Sequence, residues 1–358
     1  MVRQVRIQKR LVESWYIYQL FSILKYMRLY LESGYADQKN IIENGSTFIF
    51  EVGARGTGKT YGMMKYILDN QIRFLYLRRQ QNEADLVKTD LLNPFKAINN
   101  DYGLDVHAGR GQKIFPFIMD NEVIGMGAAL ATFYNVRGVD FSDIDLIFYD
   151  EFIPEKSARP IKEEFEAFSN MVETVNRNRE LIGKEPVKVV CCANSNKLDN
   201  PIFMELQLVN RAAKMMEKEV EEYHNKDRHL SLVMFMKSPI SEKKKETALY
   251  KLTAGTDFQR MAIYNMFDYD NDNIRPSKIR EYTPVVMIGE LCVYKHKSRK
   301  EYYVNCKSFG TFPRIFTTSD ADRKRFFIKM IYLYDAYIEN RVFFEDAVSL
   351  YLFEKYFE

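Results

Sequence analysis

The sequence predicts an α/β protein of two domains, the first a parallel sheet with helices on both of its faces. Three observations carry that prediction. Short, continuous, β-prone apolar runs alternate with segments of helical spacing, a glycine-rich loop joins one such run to a helix, and the pattern changes beyond a densely charged stretch. A length of 358 residues exceeds one typical domain, and an apolar content of 46% suffices for two cores.

Taken in order, residues 10–33 recur in apolar side chains every three or four positions, at Leu11, Trp15, Tyr18, Leu20 and Phe21, which predicts a helix stopped by Gly34. Its aromatic stripe packs on its own domain, or else docks on a neighbouring subunit or a membrane surface. The run TFIFEV, Thr47–Val52, reads as a buried strand, followed by a glycine-rich turn and the helical pattern YGMMKYILDN. Buried-type strands follow at Phe74–Leu77, Leu146–Tyr149 and Val187–Cys192, with a helix over PIKEEFEAFSNMVETVNRNRE between the last two. The first domain is expected to end near residue 205. Residues 206–250 carry dense mixed charge and read as a lid or linker of exposed helix and mobile chain. Residues 251–358 form a smaller α/β or α+β domain, with strands over 284–318 and two helices rich in Phe and Tyr over 319–357.

Composition excludes some function classes. A net charge of +3 from 52 basic and 49 acidic residues lacks the global basic signature of a protein that coats nucleic acid, so any contact with DNA is local. Cysteines 191, 192, 292 and 306 include no C-x-x-C, which fits neither a disulfide framework nor a zinc site and points to a reducing cytoplasm. The opening MVRQVRIQKR imitates a signal peptide, but Glu13, Lys25 and Arg28 interrupt any apolar region. No run approaches the roughly 18 apolar residues of a membrane span, so no membrane partner is expected.

Gly53-Ala54-Arg55-Gly56-Thr57-Gly58-Lys59-Thr60 satisfies G-x-x-x-x-G-K-[ST] between a predicted strand and a predicted helix, the context a phosphate-binding loop requires. Glycines let backbone N–H groups turn toward phosphates, and the helix beginning near Lys59 adds its positive dipole end. Lys59 is then placed for the β- and γ-phosphates of ATP, and the Thr60 hydroxyl for Mg²⁺. About ninety residues on, the apolar strand LIFY ends in Asp150-Glu151, the Walker B pattern. A parallel strand beside the P-loop strand would bring Asp150 to the Mg²⁺ shell and leave Glu151 to orient and deprotonate the attacking water. Alone, such a pair reads equally as a solvated turn; after a P-loop it argues for hydrolysis.

The strand Val187–Cys192 runs into Ala193-Asn194-Ser195-Asn196, putting Asn194 where ligands of open α/β sheets sit, as a γ-phosphate sensor or as an asparagine capping a turn. Arg177 and Arg179, near the end of the preceding helix, suit the helix dipole, or an arginine that completes a neighbour's site in trans.

The spans GARGTGKTYGMMKY, LIFYDEFIPEK, ETVNRNRE and CANSNKLDNPIF together resemble the DNA-packaging ATPase of phi29-like phages and, more distantly, the ATPase of large terminases. The resemblance covers residues 36–205 closely and continues weakly through LYKLTAGTDFQRMAIYNMFDYD, leaving residues 1–35 as an amino-terminal helical extension. It implies an ASCE-type ATPase domain, a lid or linker and a carboxy-terminal domain of RNase H-like fold. Implied too are a homo-oligomeric ring, by family a pentamer, at a procapsid portal in the bacterial cytoplasm, double-stranded DNA as cargo and a phage-encoded RNA as scaffold. By position, Arg177 becomes the trans arginine finger, Asn194 the coupling residue, and Arg55 a sensor inside the loop. Arg137, a dozen residues before Asp150, is a second basic contact or a loop salt bridge.

A two-metal nuclease needs clustered carboxylates on its core strands to hold two ions about 4 Å apart. The second domain's strands offer Glu290 but no carboxylate cluster, and Asp320 and Asp322 also suit a helix N-terminus, so nuclease activity is not expected. The basic clusters KHKSRK and RKR fit phosphates or solvated turns equally. Two rival readings are a helicase-like or filamentous-phage assembly ATPase and a nucleotide-gated scaffold with negligible turnover.

Overall fold

The computed structural model describes residues 29–136, 138–154, 159–194, 200–236, 238–253, 256, 273–274 and 277–357. The predicted helix over 10–33 lies almost wholly outside the described residues. The chain divides into two compact units, one drawn from Met1–Asn196 with Met215–Phe267, the other from Lys197–Lys214 with Asp268–Glu358. Among the described residues no helix is long and apolar enough to cross a membrane.

In chain order, the elements up to the Walker B strand are α1 (Gln38–Ile42), β1 (Phe48–Gly53), α2 (Lys59–Asp69), β2 (Phe74–Arg78), α3 (Gln81–Val87), α4 (Lys96–Tyr102), β3 (His107–Ala108), β4 (Ile114–Met119), β5 (Glu122–Ala129) and β6 (Leu146–Asp150). Then come α5 (Glu164–Asn176), β7 (Lys188–Asn194), α6 (Pro201–Glu205), α7 (Val209–Glu217), β8 (Glu222–Asn225), β9 (Leu230–Phe235), α8 (Pro239–Lys244) and α9 (Ala248–Leu252). The second unit adds β10 (Tyr282–Ile288), β11 (Leu291–His296), β12 (Tyr302–Asn305), β13 (Ile315–Phe316), α10 (Asp320–Ile338), β14 (Val342–Phe344) and α11 (Ala347–Phe357).

The first unit is built on a nine-stranded sheet of order β3-β4-β5-β2-β6-β7-β1-β9-β8. From β5 to β9 all neighbours are parallel, and antiparallel strands close both edges. A parallel sheet covered on both faces needs strands that are apolar throughout, and β6 and β9 are buried at every position. Two expectations are corrected here. The Walker B strand β6 is not beside β1, because β7 lies between them. The stretch 206–250, expected as lid or linker, supplies a core strand instead: β9 pairs with β1 along its whole length. The six-residue run LSLVMF, embedded among charges, buries more apolar surface than a mobile linker would leave in water.

In the second unit the strands run in the order β13-β10-β11-β12-β14. β10, β11 and β12 form an antiparallel meander, and β13 and β14 join its edges in parallel. One core cluster joins Val286, Ile288, Val293 and Val304 of the sheet to Phe326, Met330 and Leu333 of α10 and Phe353 of α11.

Candidate active site

The P-loop begins where β1 can carry no side chain. A Cβ on Gly53 would stand 2.6 Å from that of Phe235 on β9, so close packing of the two strands demands glycine. Gly58, at φ 86°, is the N-cap of α2, and no side chain caps that helix end. Helices normally satisfy their first N–H groups with a Ser, Asp or Asn oxygen. With none here, the orphan donors and the dipole are left for an anion.

Inside the loop, Lys59 Nζ donates to the carbonyls of Gly53 and Ala54, both at 3.0 Å, and to Thr57 Oγ1 at 3.1 Å. Thr57 in turn donates to Ala54 O at 3.1 Å. Burial pulls the Lys59 pKa down from its ordinary value. An ammonium held only by neutral oxygens is under-compensated, and phosphate oxygens would hold it better.

Asp150 reaches the loop although its strand is two places from β1. Thr60 Oγ1 lies 3.2 and 3.3 Å from the two Asp150 oxygens, and Tyr76 donates its hydroxyl to Oδ2 at 2.9 Å. Burial raises the Asp150 pKa. Glu151, at φ 54°, turns the chain out of the sheet and leaves its side chain half-exposed. Arg78, at the end of the neighbouring strand β2, holds both acids: Nη2 stands 2.5 Å from Glu151 Oε2 and Nη1 3.7 Å from Asp150 Oδ2.

Beneath the loop sits a third acid. Glu51 of β1 is fully buried, accepts from Gln38 Nε2 at 2.7 Å and from Cys192 Sγ at 3.5 Å, and burial pushes its pKa up to about 7. Sequence reasoning passed over Glu51, Tyr76 and Arg78. A lone carboxylate inside TFIFEV was the available signal for Glu51. Nothing local marks Tyr76 or Arg78, because their roles depend on β2 lying beside β6.

A cavity of about 220 Å³ is bounded by Gly56 to Tyr61, Asp150, Glu151, Ala193 and Asn194. Asn194 reaches it because β7 runs in register with β1, pairing Asn194 with Gly53. A larger cavity of about 1000 Å³ adjoins the same loop, lined by Tyr35, Gln38, Tyr61, Tyr66, Tyr102 and Lys244 among others.

The remaining arginines are not brought into the smaller cavity. Arg177 follows the last turn of α5 at φ 46°, donates to Val139 O at 2.9 Å and faces Asp140 at 4.0 Å. Arg179 is tied to the turn before β6, donating to Ile144 O and pairing with Asp145 at 2.6 Å. That is a structural tether between α5 and the Walker B strand. Arg55 is exposed in the loop. Arg137 lies outside the described residues. In the second unit Glu290 is exposed on the turn between β10 and β11, and Asp320 and Asp322 occupy the first turn of α10.

Residues 31–304 match the model of the podovirus DNA encapsidation protein (Gp16) family. The chain is 25% identical over 228 residues to a DNA packaging protein of Bacillus phage B103, covering 62% of this chain and 65% of that one. It is 27% identical over 228 residues to the DNA packaging protein of Bacillus phage phi29, covering 62% of each. The matched region thus spans less than two thirds of these relatives' length. A chain from the bacteriophage Phi-29 viral genome packaging motor assembly superposes with a TM-score of 0.66 at 21% identity, covering 90% of this chain and 99% of that one. A chain of the Phi-28 gp11 DNA packaging motor gives 0.61 at 19% identity, covering 90% and 97%. At these identities the likeness is one of fold.

Proposed function

Because this chain belongs to the podovirus DNA encapsidation protein (Gp16) family, we propose that it hydrolyses ATP to drive double-stranded DNA into a viral capsid, as one subunit of a homo-oligomeric ring. The observation that carries the reading is the convergence of Thr60 and Asp150 at 3.2 Å across 90 residues of sequence, beside an uncapped helix N-terminus.

The smaller cavity takes the β- and γ-phosphates, and the larger one, continuous with the loop's outer face, takes the nucleoside. Lys59 leaves the Gly53 and Ala54 carbonyls for phosphate oxygens, and the N–H groups of the loop and of α2 complete the cradle. Thr60 and Asp150 present two hard oxygen donors to one point, and burial of Asp150 favours a cation beside it. The residues therefore fit Mg²⁺, which takes one or two protein ligands together with phosphates and waters. When bound it neutralises charge on the β- and γ-oxygens. Glu151 orients the attacking water and accepts its proton as the new P–O bond forms and the bond to the ADP oxygen breaks. While Arg78 holds Glu151 at 2.5 Å, that carboxylate is engaged, so hydrolysis requires the pair to open. Asn194, facing the same cavity, is the residue placed to sense whether a γ-phosphate is present. Grip on DNA of any sequence has to come from phosphate contacts, which makes it salt-sensitive.

The test is steady-state ATP hydrolysis by the full chain with and without double-stranded DNA and empty portal-bearing procapsids. Both additions are expected to stimulate turnover, and Glu151→Ala to lower it roughly 10²- to 10⁴-fold. Hydrolysis indifferent to DNA and procapsid sinks the packaging reading, and none under assembled conditions favours a nucleotide-gated scaffold. In the same assay, co-assembled Arg177→Ala and Glu151→Ala subunits recover part of the activity only if a site takes its arginine from a neighbour.

A further inference from the structure

The larger cavity beside the P-loop holds a cation to which nothing above gives a role. Lys244 ends α8, the short helix that follows β9. Because β9 runs parallel to β1 from Phe48–Leu230 to Gly53–Phe235, the chain leaving β9 emerges at the edge of the sheet where the P-loop emerges. There Lys244 Nζ donates to the backbone carbonyl of Arg55 and occupies the space that a side chain on Gly56 would need.

The electrostatics of this ammonium are unbalanced. It is partly buried, and desolvation lowers its pKa. Among the described residues no carboxylate stands within ion-pairing distance of it. Lys65, which lines the same cavity from α2, makes the contrast: it is paired with Asp69 at 2.8 Å and lies 4.7 Å from the centre of the Tyr102 ring. A cation that has lost part of its hydration and gained only a carbonyl oxygen is favoured by an arriving anion. Its position says which part of the ligand. Lys244 lines the larger cavity, with Tyr35 and Tyr61, and does not line the one bounded by Asp150, Glu151 and Asn194. It therefore faces the nucleoside side of the loop and not the γ-phosphate end.

We propose that Lys244 is a nucleotide-binding residue whose ammonium moves from the Arg55 carbonyl to the sugar-proximal phosphates of bound ATP or ADP. The proposal rests on the nucleotide-site reading above. Those phosphates survive hydrolysis, so Lys244 holds product as firmly as substrate and retards ADP release. The contact also ties occupancy of the site to α8, on the stretch of chain that continues toward the second unit.

The experiment is equilibrium titration of the full chain with fluorescent ATP and ADP analogues and Mg²⁺, comparing wild type with Lys244→Ala, Lys244→Arg and Lys59→Ala. Lys244→Ala is expected to weaken both nucleotides by a similar factor, about tenfold for one charge-assisted hydrogen bond. Lys244→Arg is expected to restore most of the affinity, with the nucleotide-free unfolding midpoint of all Lys244 variants unchanged. Unchanged affinity in Lys244→Ala overturns the proposal, as does a loss confined to ATP, which would put the ammonium at the γ-phosphate. Equal losses in Ala and Arg together with a lowered midpoint overturn it in favour of a purely structural tie. A wild type that binds neither nucleotide, or a Lys59→Ala that binds both normally, strikes the nucleotide-site reading itself and is separate from the Lys244 outcomes.

Discussion

The sheets of the two units bury different chemistry. In the first, Glu51, Lys59, Arg79, Asp150 and Glu164 are all buried, and the first, second and fourth of these surround the phosphate loop. In the second, the core joins Val286, Ile288, Val293 and Val304 to Phe326, Met330 and Phe353, and among the described residues no carboxylate is buried. Removing an ion from water costs several kcal/mol unless partners restore the lost interactions. The first unit meets that cost at the strand ends with hydrogen-bond and charge partners: loop oxygens hold Lys59, and Thr60, Tyr76 and Arg78 face Asp150. The second unit's core cluster is apolar throughout. On this comparison the first sheet gathers buried charges at its strand ends, and the described core of the second is held by apolar packing.

The sharpest way to break the comparison is the buried pair that lies outside the phosphate cavity. Arg79 Nε and Nη2 each donate to Glu164 at 2.7 Å, and Nη1 donates to Arg159 O at 2.6 Å. Arg79→Ala would leave the Glu164 carboxylate buried and unpaired at the start of α5, at a cost of about 3–5 kcal/mol. Chemical denaturation measures it. A loss under about 1 kcal/mol, the size of an exposed pair, would mean that burial in this sheet carries no special penalty.

Glu51 gives a smaller effect with a pH signature. Its folded pKa of about 7 lies above the ordinary 4.5, so between those values the folded state holds more protons than the unfolded one. Stability therefore falls as pH rises through that window, and the deficit is complete above the folded pKa. Glu51→Gln removes the ionisation while keeping a polar group for Gln38. Its stability should match wild type near the bottom of the window and exceed it by up to about 3 kcal/mol above the top. A difference between the two proteins that stays constant with pH would show that Glu51 is not desolvated as its position requires.

What the sequence disclosed and what it withheld divide along the same physical line. The glycine spacing of the P-loop, the Asp-Glu after an apolar run and the strands at Phe74, Leu146 and Val187 are local patterns, readable from a dozen residues. Which strands lie side by side is set by non-local packing. So β7 came between β1 and β6, and Tyr76 and Arg78 reached Asp150 from more than seventy residues away in sequence. The small hairpin β3–β4 at the sheet edge was not anticipated. Nor was β9, because the charges flanking LSLVMF mask locally a six-residue strand that the structure buries at every position.

The smallest expected effect tests the second unit's side of the comparison. Asp320 and Asp322 read from sequence either as metal ligands or as acids suited to a helix N-terminus. Asp322 Oδ2 accepts from Thr317 N at 2.9 Å and from Thr317 Oγ1 at 2.8 Å, while Ser319 Oγ caps α10 by accepting from Asp322 N at 3.4 Å. The hydrogen bonds from Thr317 hold the Asp322 pKa below its ordinary value. Its contribution to stability is therefore present above the unfolded pKa and lost as pH falls through the depressed folded one. Asp322→Ala should lower the unfolding midpoint slightly near neutral pH, and by the same amount with Mn²⁺ or with EDTA. If the pair instead held a metal, Mn²⁺ would raise the wild-type midpoint by mass action, and the substitution would erase that rise. Such an outcome would place a metal at the start of α10 and end the contrast between a unit that gathers charges and one held by packing.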